Sequence, residues 1–146
     1  MGRFGLILLV ILVGIFVYQT QDAGFEYDKA SVSQQNAYLV RAGRRLSHSP
    51  GFAASMFSKL QTVKPMPSRR YVQIITQQPK GFRLTVQKRG QEMGRKCLVY
   101  LKSSLMRNRI QARIRYTSET GRSLGQVTLS PNVCQRYAHP RQIAQR

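Results

Sequence analysis

The chain has no tryptophan and, in 146 residues, only five Asp and Glu, two His and two Cys. Each shortage removes a class of chemistry. General acid and base catalysis needs carboxylates or histidines gathered in one pocket. Three of the five carboxylates, Asp22, Glu26 and Asp28, crowd beside an N-terminal apolar run. The other two, Glu92 and Glu119, read as a charge at a helix start and a turn residue. His48 lies between Ser47 and Ser49, but neighbours in sequence rarely form a nucleophile and base pair, and no carboxylate is near to orient one. A capping loop accounts for all three residues. There is no Cys-x-x-Cys or His-x-x-x-His pair to seed a metal site, and no Walker-type glycine loop for phosphates. The expectation is a non-enzymatic chain with no catalytic residue, no metal and no cofactor.

Basic charge, in contrast, is abundant. Twenty-four Lys and Arg give a formal net charge of +19. Residues 69–146 alone carry seventeen basic side chains against Glu92 and Glu119. An apolar content of 42% argues for a folded domain rather than a basic tail. The partner implied is anionic: a phospholipid headgroup, a nucleic acid, an acidic polymer or an acidic protein face.

From Phe4 to Tyr18 the chain is apolar, and no charge falls between Arg3 and Asp22. Such a stretch is expected to form an uncleaved transmembrane helix, because small residues are missing where signal cleavage would need them. The charges flanking it place the N-terminus in the cytoplasm and the C-terminal domain in the periplasm, as a single-pass inner-membrane protein. In a translocated domain the only thiols, Cys97 and Cys134, are expected to pair as a disulfide; two buried free cysteines are the alternative if the domain is cytoplasmic.

Past the anchor, Val32, Leu39 and Leu46 recur near helical spacing with Arg41, Arg44 and Arg45 opposite, which predicts an amphipathic helix with a juxtamembrane basic face. Ser49-Pro50 reads as the start of a second helix in which Phe52, Met56, Phe57 and Leu60 share a side. Lys64-Pro65-Met66-Pro67 ends it. Tyr71–Thr76 and Phe82–Val86 read as the two strands of a hairpin. Helical spacing returns over Gly90–Met106, with Cys97, Leu98, Leu101 and Leu105 on one side. Ile110, Ala112, Ile114 and Tyr116 then alternate with polar residues, and a last strand follows the turn at Ser118–Gly121.

The predicted architecture is α+β: one transmembrane helix, two amphipathic helices, and a small four-stranded antiparallel sheet with one packed helix. Its divisions are 1–21 (cytoplasmic tip and membrane helix), 22–64 (juxtamembrane helices), 65–135 (basic domain) and 136–146 (basic tail). Lys102, Arg107, Arg109, Arg113 and Arg115 form the densest charge group and are the expected site for an anionic partner. Aromatic stacking positions are sparse, which places nucleic acid behind acidic protein or anionic lipid.

A short tip, a membrane helix, a helical stretch and a small α+β head with a late cysteine pair resemble the layout of type IV pilin-like proteins. The size and plan are most similar to the small inner-membrane accessory proteins of plasmid-type thin pili, the PilM type. The helix through Tyr18 carries no Glu, so the resemblance does not extend to a polymerising pilin. It implies an accessory or scaffold subunit of an envelope assembly, in contact with the membrane and with other protein subunits. A membrane-tethered nucleic-acid-binding protein in DNA uptake or transfer is the alternative.

Overall fold

The computed structural model describes residues 5–13, 24–53, 55 and 57–138. Helix α1 is described over residues 5–13, a rise of roughly 13 Å against a hydrocarbon core of about 30 Å. Among the described residues no helix is long and apolar enough to cross a membrane. That finding overturns the expected transmembrane helix, and with it the single-pass inner-membrane location with a periplasmic domain. Phe4 and residues 14–18 of the expected span lie outside the described residues, as do residues 139–146 of the basic tail.

Helix α2 (Val32–Ser47) begins where Ser31 and Gln34 cap each other reciprocally, satisfying two backbone donors that the first turn leaves unpaired. It buries Tyr38, Leu39, Ala42 and Leu46. Its end explains the Ser47-His48-Ser49 run: Ser47 Oγ donates to the Arg44 carbonyl, Ser49 Oγ to the Arg45 carbonyl, and His48 is the C-cap. With Ser49 closing one helix, no second helix opens there. Phe52 is buried while Phe57 stays 68% exposed, so the apolar residues do not share a face. Leu60 already belongs to strand β1 (Lys59–Met66), and Met56 lies outside the described residues. Pro65 is accommodated because β1 is an edge strand, where a missing N–H need not cost a ladder bond.

Strand β2 (Tyr71–Gln77) pairs antiparallel with β1. The chain does not turn back into a hairpin. Residues 82–85 join no strand, Phe82 stacks on Tyr116 at 5.5 Å, and the Thr85 hydroxyl caps helix α3 (Val86–Tyr100). After the one-turn helix α4 (Ser104–Arg107), strand β3 (Gln111–Thr117) lies parallel to β2, and β4 (Ser123–Leu129) lies antiparallel to β3. The sheet order β1-β2-β3-β4 is therefore mixed, not antiparallel. The cause is the helix between β2 and β3, since a crossover of that length returns the chain in the same direction. Helix α5 (Pro131–Ala138) closes the described fold and carries Cys134, where a loose tail from Arg136 was expected.

Helices α2 and α3 cover one face of the sheet, over Val72, Ile74, Ala112, Ile114 and Tyr116. Helix α2 comes close to the sheet at Gly43, where a Cβ would stand 2.7 Å from Val63 Cγ1 and 2.9 Å from Val72 Cγ2. Both neighbours are β-branched and packed, so neither can swing away freely. Gly43→Ala gains about 1 kcal/mol of helix propensity but overpacks the core by roughly 1 to 3 kcal/mol. The expected result is a lower Tm by circular dichroism, and a raised Tm would contradict this account of the packing.

The two outer strands are obstructed. Strand β1 carries Lys59, Lys64, Pro65 and a bulge between Leu60 and Thr62. On β4, Gly125 (φ +135°) leaves room for Leu84, whose Cδ2 would lie 2.7 Å from a Cβ there, and Arg89 Nη1 donates to the Gln126 carbonyl.

Candidate functional site

The end of α2, the solvent side of α3 and the link into α4 enclose a groove of about 590 Å³. Arg45 comes from α2, Arg95 from α3, and Lys102 and Arg107 from the stretch around α4. Two neighbouring concavities extend it. One shares Arg45 and Ser49 with the groove and adds Arg41 and Arg44. The other shares Arg107 and adds Arg109. Among the described residues, no carboxylate lines any of the three. Cations of one sign with low-dielectric walls between them focus the field and draw anions in.

Each cation has a structural reason for its position. Arg44 and Arg45 occupy the last turn of α2, where positive charge complements the helix dipole. Arg107 does the same for α4. Arg109 follows α4 in a left-handed conformation, φ +55°, at a position that glycine or asparagine usually fills. Its side chain is exposed.

Arg95 is fixed from beneath. Its Nη2 bonds Glu92 Oε1, while Glu92 Oε2 accepts from Lys96 Nζ at 2.7 Å and from the Tyr116 hydroxyl at 2.8 Å. Lys96 Nζ also bonds the Phe52 carbonyl and faces the Phe52 ring at 4.6 Å. Glu92 and Lys96 are almost fully buried. Burial alone would raise the Glu92 pKa, but the bond and charge of Lys96, the Tyr116 hydroxyl and Arg95 outweigh it and hold the carboxyl below its ordinary range. Burial pulls Lys96 down, and Glu92 only partly restores it. Burial and the adjacent Glu92 push the Tyr116 phenol well above its ordinary value. Glu92 is thus the centre of a buried network in the middle of α3, not a charge at a helix start. A signal for it was present in sequence, because Glu92 and Lys96 stand at i and i+4.

The five residues expected to act together fall into two groups. Lys102, Arg107 and Arg109 join the basic band, and with them come Arg41, Arg44 and Arg45, which were expected to face a membrane. Arg113 and Arg115 project from β3 on the sheet face away from α2 and α3, as the burial of the alternating Ala112, Ile114 and Tyr116 requires. There Arg113 shares a row with Gln73 and Thr128, and its guanidinium lies 3.8 Å from the Tyr71 ring centroid. Arg45 and Arg95 are the residues that close the groove and that linear charge density did not single out for it.

Cys97 and Cys134 form a disulfide that joins α3 to α5 across a separation of 37 residues. Both are buried beneath the helix layer. Comparison of the chain with protein-family models, with curated proteins and with solved structures finds no match.

Proposed function

We propose that this chain is a non-enzymatic binding subunit that engages an anionic partner through the basic band formed by α2, α3 and α4. One observation supports the reading above others: three adjoining concavities are lined by arginine and lysine, with no carboxylate among their described lining residues. Basic residues scattered over a solvated surface would be interleaved with counter-charges, as Lys29 is with Glu26 and Arg70 with Asp28. Within the band Lys102, Arg107 and Arg109 are exposed, and among the described residues none of these three is ion-paired. Its partner then supplies the carboxylates or phosphates, in an assembly of which this domain is an accessory component.

The test is binding of a fluorescent oligo-glutamate peptide to the full chain at rising ionic strength. Affinity should fall steeply as salt shortens the Debye length from roughly 14 Å at 0.05 M towards about 7 Å at 0.2 M. Substituting Arg45, Lys102 and Arg107 by Gln together is expected to weaken binding roughly tenfold or more. Arg113→Gln with Arg115→Gln serves as the control, and should change affinity much less. Equal losses in the two variants would show that charge alone, and not the band, captures the probe.

A further inference from the structure

The groove between α2, α3 and α4 has an aliphatic floor that charge alone does not explain. Leu98 stands in it 58% exposed, on the side of α3 away from its buried stripe of Met93, Cys97 and Tyr100. Val99 lies beside it, and Leu46 and Pro50 form the opposite wall. Cations would suffice to hold phosphates or carboxylates. An exposed leucine among them adds apolar surface that gains only when something apolar covers it.

The remaining groups narrow the occupant. The groove's serines are engaged internally: Ser49 with the Arg45 carbonyl, Ser103 with the Tyr100 carbonyl, and Ser104 with the Tyr38 hydroxyl. Among the described residues no aromatic ring lines the groove, so they offer nucleic-acid bases no stacking platform. A second copy of this chain, at +19, would be repelled. The volume of about 590 Å³ admits a few aliphatic side chains.

We infer that the groove binds an acidic amphipathic segment of a partner protein, its aliphatic side chains on Leu98 and Val99 and its carboxylates on Lys102, Arg107 and Arg95. Arg95 is set for this role, because Glu92 orients its guanidinium before any partner arrives. Lys102 and Arg107 are exposed at the rim, where they reach outward to meet charge. The inference rests on the anion-binding reading above and assigns its partner class.

Two labelled helical peptides of equal charge separate the two claims, one with Glu and Leu on opposite faces and one with Glu and Ser. A single-stranded oligonucleotide of similar charge is the third probe. The full chain should bind the Glu/Leu peptide at least about tenfold tighter than the Glu/Ser peptide, as expected for burial of one or two aliphatic groups. Leu98→Ser, at an exposed position that leaves the fold intact by circular dichroism, should erase that difference. Equal binding of both peptides would overturn the inference and leave anion binding standing. No binding of any probe at low salt would overturn both. Tighter binding of the oligonucleotide, unaffected by Leu98→Ser, would replace the partner class with nucleic acid.

Discussion

Replacing Glu92 with alanine is expected to destabilise the fold by about 3 to 5 kcal/mol, because it leaves the Lys96 ammonium buried without its counter-ion. Total stability for a domain of this size is about 5 to 15 kcal/mol, so the variant sits near the edge of folding. Removing both charges by Glu92→Leu with Lys96→Met should recover most of the loss, since the desolvation cost of the pair disappears together with its attraction. Chemical denaturation of Glu92→Leu, Lys96→Met and the double variant measures the coupling directly. Losses that simply add would mean that Glu92 and Lys96 do not act as a pair. The same network predicts an acid response. Glu92 has a folded pKa below its ordinary value, so it contributes stability that is present above the ordinary carboxylate range and is lost as pH falls through the depressed folded value. Glu92→Gln should flatten the part of the Tm against pH curve that belongs to this window.

The second large effect is expected from the disulfide. Opening the Cys97–Cys134 link frees a loop of 37 residues in the unfolded chain, worth roughly 3 to 4 kcal/mol on the chain-entropy account. Cys97→Ala with Cys134→Ala should lower Tm by roughly 10 °C or more. Because both sulfurs are buried, reductant should act on the native protein only as fast as it opens. Unchanged Tm in the double variant would show that packing of α5 on α3 is sufficient without the covalent link.

Several parts of this fold were legible from residue order alone. The alternation through Ile110, Ala112, Ile114 and Tyr116 marks β3 with its buried and exposed faces, and the arginines opposite Leu39 and Leu46 mark the polar side of α2, although Val32, read onto the same apolar stripe, is 66% exposed. The errors share a cause: short patterns satisfied by two structures. Phe82 and Leu84 alternate as a strand would, yet they belong to an unpaired link whose apolar side chains rest on Tyr116 and Gly125, while Val86, at the end of the expected strand, is 91% exposed. Losing that strand made β2 and β3 parallel, which no local pattern announces. Leu98 reads as a core residue from its helical spacing with Leu101 and Leu105, but it lies about 100° of helix turn from Cys97, enough to move it from the core to the groove. Glu92 and Lys96 look like a solvent pair and are buried, because Tyr116 and the Phe52 carbonyl, distant in sequence, supply the remaining partners.

The obstructed rims of the sheet restrict how any associate can join this protein. Pro65 and the kink near Leu60 spoil one margin for a visiting extended peptide, and on the other strand Arg89 already engages the Gln126 carbonyl. Recruitment by lengthening the ladder of main-chain bonds, a route that tolerates many sequences, is therefore hindered at the described margins. Recognition falls to side chains, and selectivity among visitors then depends on where their charges and methyl groups lie.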